Sequence, residues 1–91
     1  MTPEVRRCAR RFAALGHEVR LEILRCLLAA HPQGMVAGEI QQELNIPAAT
    51  LSHHLDALHK EGLIEQCREG RFRRYLADTE GLRELLGFLG A

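Results

Sequence analysis

The sequence has no long hydrophobic run. Its longest uninterrupted aliphatic segment is Leu27–Ala30, far short of the roughly 20 apolar residues that a membrane-spanning helix needs. The N-terminal segment carries Arg6, Arg7, Arg10 and Arg11 where the apolar region of a signal peptide would lie. These two absences predict a cytoplasmic protein with no membrane partner.

Cysteine is also scarce. Cys8, Cys26 and Cys67 are the only three and show no tight spacing. A sparse, odd set is not typical of a disulfide framework, so we expect reduced thiols. Cys8 and Cys26 are expected to pack in the core, and Cys67 to be an incidental thiol. Two alternatives stay open for the same residues: a site for arsenite or another thiophilic metal, because soft ions prefer thiolates, and thiol-based redox sensing.

The motifs of an enzyme are missing as well. The chain has no glycine-rich phosphate loop, no nucleophile with a neighbouring base and no carboxylate pair at catalytic spacing, so we expect a protein that is not an enzyme. Its 91 residues suffice for one hydrophobic core and are too few for two. We therefore expect a single domain over residues 1–91.

Net charge is zero, because twelve basic residues balance twelve acidic ones. Total charge thus indicates no partner, but the distribution of charge does. Eleven of the twelve basic residues are arginine, whose planar guanidinium suits phosphate and carboxylate groups. Four of the arginines lie close together within residues 68–74.

Apolar residues recur at helical spacing along most of the chain, and proline and glycine separate the segments. The second helical segment is apolar around most of its circumference, so we expect a central helix buried on several sides. Two extended runs flank Glu69-Gly70 and predict a β-hairpin. We therefore expect a mainly α fold with a small β-hairpin, in the order α-α-α-α-β-β-α. The predicted helices cover residues 3–14, 18–30, 36–44, 48–60 and 79–90, and the extended runs cover residues 63–68 and 71–77.

Two short helices separated by a tight turn and followed by a hairpin indicate a winged helix-turn-helix. In the fourth helix, Leu51, Leu55 and Leu58 mark the buried stripe, and the opposite face is small and polar enough for a DNA major groove. The hairpin arginines suit phosphates or the minor groove. The candidate DNA-binding residues are Ala48, Ala49, Thr50, Ser52, His53, His54, Arg68, Arg71, Arg73 and Arg74.

Three segments of the chain match a known family in combination. Residues 15–24 read LGHEVRLEIL, residues 49–55 read ATLSHHL and are followed by EGLI at residues 61–64, and residues 68–72 read REGRF. Together they resemble the ArsR/SmtB winged-helix repressors from about residue 5 to residue 89. The resemblance implies a transcriptional repressor that binds an inverted-repeat operator in double-stranded DNA and is released by an effector.

The resemblance also implies a homodimer built from the first and last helices. A terminal helix of about eleven residues is too short to be stable alone, so its leucines must pack on the body or on a partner. The implied dimer-interface residues are Val5, Cys8, Phe12, Leu82, Leu85, Leu86 and Leu89.

The chain departs from the family in its effector sites. The third helix lacks the family's Cys-x-Cys pair, and the last helix contains Glu80 and Glu84 but no histidine. No metal-ligand set of the family is complete. A second function class also stays open, because neutral total charge is compatible with a winged-helix module that binds protein through the same surface.

Overall fold

The computed structural model describes residues 1–91 as five helices and three strands. The order is that of a winged helix-turn-helix, as the sequence predicts, with one additional short strand. In chain order the elements are α1 (Pro3–Leu15), α2 (Glu18–Ala29), β1 (Met35–Val36), α3 (Ala37–Leu44), α4 (Ala48–Lys60), β2 (Ile64–Glu69), β3 (Phe72–Ala77) and α5 (Thr79–Phe88). None of the helices is both long and apolar enough to cross a membrane.

Side chains cap the first and last helices. Before α1, the Thr2 Oγ1 accepts a hydrogen bond from the Val5 amide at 3.2 Å, and Pro3 occupies the first helical position. Before α5, the Asp78 Oδ1 accepts from the Gly81 amide at 2.8 Å. Each cap satisfies an amide that has no partner inside its helix, so the two boundaries follow from local sequence.

The core lies where α2, α4 and the sheet meet. The predicted stripe of α4 is confirmed, because Leu51, Leu55 and Leu58 are at most 2% exposed. The second helix differs from expectation: Leu21 is 48% and Leu28 is 44% exposed. Helix α2 is therefore buried on one side and not on several. The fully buried side chains are Ile23, Leu27, Ile40, Leu51, Leu55, Leu58, Leu63, Ile64 and Leu85.

The sheet is antiparallel and has the strand order β1-β3-β2. Strand β1 was not predicted, because two residues show no alternation; it exists only through the pairing of Met35 with Tyr75 and of Val36 with Arg74. Gly34 precedes β1 with φ of +73°, and a Cβ there would collide with the Tyr75 carbonyl oxygen. Only glycine allows this close approach.

Candidate nucleic-acid interface

One face of α4 is left open by the fold. Five of the six predicted contact residues in its first two turns are exposed, on the side away from the leucine stripe. They are small or polar, so the helix can approach a groove closely. We call this set the α4 surface: Ala48, Ala49, Thr50, Ser52 and His53.

The N-terminus of α4 is uncapped. No side chain accepts a hydrogen bond from its first turn, and that turn contains no acidic residue. A helix N-terminus presents free amide groups and a partial positive charge, which together favour a phosphate. The α4 surface thus begins at an end of the helix that is suited to an anionic backbone.

His54 is a correction to the predicted DNA-binding set. Its side chain is only 6% exposed, and its Nδ1 accepts a hydrogen bond from the Arg20 Nε at 3.0 Å. The cause is helical geometry: consecutive residues point about 100° apart, so His53 faces outward while His54 packs toward the start of α2. His54 attaches α4 to the body and does not reach the open face.

Local hydrogen bonds close both ends of α3, the first helix of the helix-turn-helix motif. Asn45 ends α3 in the left-handed conformation, with φ of 52°, and its amide donates to the Gln41 carbonyl at 2.8 Å. At the other end of α3, the Glu39 Oε1 accepts from the Val36 amide at 3.0 Å. Both ends of this eight-residue helix are therefore closed by local hydrogen bonds.

The wing consists of β2, β3 and the turn at Gly70, which has φ of +59°. In the strand register Arg68 lies directly opposite Arg73. Alternation along the strands places this pair on the face that carries Gln66 and the buried Tyr75. That face is turned toward α4, because the Gln66 Nε2 lies 3.5 Å from the His59 Nδ1.

The arginines at the wing tip have no internal partner. Arg68, Arg71 and Arg73 are exposed, and none of them forms an ion pair or a side-chain hydrogen bond. Like charges directly opposite on neighbouring strands are destabilising, so the Arg68–Arg73 pair costs stability in the free protein. We call these three residues the tip arginines.

Arg74 is a second correction. It lies on the other face of the wing, where its Nε donates to the Glu69 Oε2 at 2.8 Å and its Nη1 donates to the Gln33 and Gly34 carbonyls at 3.4 Å. The hydrogen bond to Glu69 raises the pKa of Arg74 above its ordinary value. Arg74 is thus engaged in fixing the wing to the loop before β1.

The predicted dimer-interface residues on the terminal helices fall into two groups by their exposure. Phe12, Leu86 and Leu89 are 37%, 52% and 64% exposed, and Val5 and Leu82 are half-buried. Cys8 and Leu85 are 7% and 1% exposed. These last two correct the prediction, because they fill the core of the protomer itself.

Two exposed aromatic residues were not in the predicted sets. Phe88 is 40% exposed beside Leu86 and Leu89, and Phe72 is 60% exposed at the wing tip. Phe88 lies three residues after Leu85, which is the spacing of the predicted stripe, so its place on that side of α5 could have been predicted from the sequence. Phe72 directly follows an arginine in the predicted hairpin, where period-two alternation decides which face it takes.

The structure does not bring the three thiols together. Cys8 lines a groove between α1 and α5, Cys26 lines another between α2 and α3, and Cys67 is exposed on β2. No group of three or more ligating side chains is arranged to hold a metal ion. Burial, followed by the charges of Glu43 and Glu22, raises the pKa of the Cys26 thiol, which disfavours the reactive thiolate.

Comparison with known proteins identifies the family. Residues 15–67 match the family model described as a helix-turn-helix domain. The transcriptional repressor SdpR of Bacillus subtilis is 31% identical over 78 residues, which cover 86% of this chain and 83% of SdpR.

Two solved structures share the fold. An ArsR-like transcriptional regulator from Rhodococcus superposes with a TM-score of 0.84 at 30% identity, over 98% of this chain and 81% of that one. The homodimeric winged helix-turn-helix domain of a possible ArsR-family regulator from Mycobacterium bovis gives 0.78 at 28% identity, over 94% and 77%. With the open α4 surface and the wing, these matches show that the chain belongs to the ArsR family of helix-turn-helix transcriptional regulators.

Proposed function

We propose that this regulator binds an inverted-repeat operator in double-stranded DNA as a homodimer and represses the promoter that contains the operator. The α4 surface enters the major groove, and the tip arginines contact the flanking backbone or minor groove. The observation that carries the proposal is the Arg68–Arg73 pair, which is unpartnered and lies on the wing face that is turned toward α4.

The arginine pair favours a phosphate partner for an energetic reason. Two guanidinium groups held on opposite strands repel each other in the free protein, and a bound phosphate backbone would convert that repulsion into charge-assisted hydrogen bonds. The nearest acidic residues in sequence do not neutralise the pair, because Glu69 is already bound to Arg74 and Glu65 forms no ion pair. The positive charge at the wing tip therefore remains available to DNA.

The division of labour between the two elements follows from their side chains. Ser52 and His53 project from the open face of α4 and offer hydrogen-bonding groups to base edges. The uncapped N-terminus of the same helix suits a phosphate at the groove's edge. Base contacts then specify the sequence, and phosphate contacts fix orientation.

A homodimer supplies the second half-site. Phe12, Leu86 and Leu89 leave apolar surface exposed on the terminal helices, and the Mycobacterium bovis neighbour with the same fold is homodimeric. A two-fold axis would present two copies of α4 to successive major grooves about one helical turn apart, which matches an inverted repeat.

Repression is the simplest outcome of such binding. A dimer on a promoter occupies the surface that polymerase needs, and the related SdpR is a transcriptional repressor. No separate activating surface is needed for this mode of action.

The test measures how DNA affinity depends on salt. The duplex is one that the wild-type protein selects from a random-sequence library, and affinity is read by fluorescence anisotropy. Each lost phosphate contact reduces the slope of log affinity against log salt by about 0.9. Because a dimer carries two copies of each residue, R68Q/R73Q is expected to reduce the slope by roughly three to four.

The matched control is R6Q/R83Q. Arg6 and Arg83 are also exposed and form no ion pair, so this variant loses the same charge elsewhere and should keep the wild-type slope. S52A and H53A should change the preferred base sequence instead. If none of these α4 or wing variants alters DNA binding, the surface serves a protein partner and the operator proposal is wrong.

A further inference from the structure

The buried His54 links α4 to the start of α2. Its ring lies between α4 and the N-terminal turn of α2, where the Arg20 Nε donates to its Nδ1 at 3.0 Å. The His17 ring, which belongs to the N-cap of α2, is 4.5 Å from it between ring centroids, and the His53 ring is 5.6 Å from it. The contact is a single, partly buried hydrogen bond.

This contact requires a neutral imidazole. Since Nδ1 accepts the hydrogen bond from Arg20, the ring proton must lie on Nε2. Protonation at Nδ1 would place an N–H donor against the Arg20 N–H donor and a positive ring beside a guanidinium. The hydrogen bond would be lost and replaced by repulsion.

The surroundings offer no charge that would stabilise the protonated ring. The charged and titratable groups that act on His54 are His17 and Arg20, at the start of α2, and His53 on its own helix; all of them are basic. Burial first, and then these three groups, lower the pKa of His54 below its ordinary value of 6.5. The folded state therefore holds the ring neutral.

We propose that His54 is a proton-sensitive positioning residue, whose neutral ring holds the first two turns of α4 against α2 and whose protonation shifts these turns and weakens DNA binding. The DNA part of this inference rests on the proposed function. Ser52 and His53 directly precede His54 on α4, so a shift of the helix at His54 displaces the side chains that face the groove. Displacements of about 1 Å are enough to spoil polar recognition geometry.

The sign of the pH effect separates His54 from His53. Protonation of the exposed His53 would add positive charge to the α4 surface and strengthen attraction to phosphates, so affinity would rise in acid. Protonation of the buried His54 breaks the attachment of α4, so affinity would fall in acid. The two histidines thus give opposite predictions for the same experiment.

Protonation of His54 should also affect the stability of the folded protein. A histidine whose pKa is lower in the folded state than in the unfolded state contributes its full stabilisation above the unfolded value, and loses it as the pH falls below that value. The Tm of the free protein should therefore decrease below about pH 6.5, and this measurement needs no DNA.

The experiment compares three variants with the wild type at about pH 7.5 and about pH 5.5. H54N places an amide oxygen near the position of Nδ1, so it keeps an acceptor for Arg20 but cannot titrate. H54A removes the acceptor. H31Q removes an exposed histidine of the α2–β1 loop and is the control. Affinity for the library-selected duplex, far-UV circular dichroism and Tm are measured at both pH values.

We expect the wild type and H31Q to lose roughly fivefold or more in affinity at the acid pH, as linked equilibria typically do, while circular dichroism reports an intact fold. H54N should bind with little dependence on pH, and H54A should bind weakly at both values. An acid gain in the wild type, no acid change, or an acid loss that persists in H54N would overturn the proposal.

An NMR titration of the imidazole signals in the wild-type protein covers the case in which a variant does not fold. The His54 signal should titrate below the ordinary histidine pKa of 6.5. Titration at or above that value would overturn the proposal. If the protein bound no DNA at all, the proposed function would fail, while the titration and the Tm would still decide whether the contact is proton-sensitive.

Discussion

Removing two leucines from the exposed face of α5 should dissociate the proposed dimer without unfolding the protomer. Leu86 and Leu89 are 52% and 64% exposed, so they contribute little to the protomer core. Burying a leucine completely is worth about 1.5–3 kcal/mol. Truncating a side chain of which half or more becomes buried on dimerisation should therefore cost about 1 kcal/mol.

Symmetry multiplies this cost. A two-fold interface contains each residue twice, so L86A/L89A removes four leucine contacts and should weaken dimerisation by about 4 kcal/mol. That corresponds to a roughly thousandfold increase in the dissociation constant. Analytical ultracentrifugation over a concentration series measures this constant directly, and the Tm extrapolated to low concentration reports whether the protomer remains folded.

The matched control is L21A/L28A on α2. Leu21 and Leu28 are 48% and 44% exposed, so this variant removes the same atoms from a similarly exposed but different face. Its dimer dissociation constant should equal that of the wild type. The proposed interface is wrong if L86A/L89A leaves that constant unchanged, or if the control raises it as much as the α5 variant does.

Two further predictions concern the buried Leu85 and the reactivity of two cysteines. L85A should lower the free energy of unfolding of the protomer by about 2–5 kcal/mol, because it opens a cavity in the core. Chemical denaturation at low protein concentration measures this loss, with the single variant L86A as the exposed comparison. A loss in L85A as small as that in L86A would contradict the placement of Leu85 in the core. Cys67 should react with iodoacetamide well before Cys26 at about pH 8, because Cys67 is exposed and burial raises the pKa of the Cys26 thiol. Mass spectrometry of peptides from a reaction time course measures the modification rates of both thiols. Faster modification of Cys26 would contradict this prediction.

The helices could be predicted because their chemistry is local. The α4 segment repeats leucine at helical spacing, and its predicted range, residues 48–60, agrees with the structure. The hairpin was also predictable from its glycine turn. Strand β1 was not, because Met35 and Val36 form a strand only through the partners that β3 supplies. Pairing between residues distant in sequence leaves no trace in a two-residue segment.

The candidate DNA-binding residues were likewise predictable only where their placement depends on local spacing. Helical periodicity placed Ser52 and His53 on the open face, but it could not show that Arg20 would occupy the adjacent flank and bind His54. The four wing arginines look alike in the sequence. Strand register separates them, since Arg73 lies on the face turned toward α4 and Arg74 on the face that carries Glu69.

The order of the elements, the buried stripe of α4 and the cluster of arginine in the wing could all be predicted from the amino-acid sequence. These features depend on spacing along one chain, which periodicity and turn chemistry express directly. Which polar side chains remain without a partner could be seen only once the chain was folded. That outcome depends on contacts between elements 34 or more residues apart, as with Arg20 and His54 or Arg74 and Gly34, and a single side chain's type does not specify which partner it will meet.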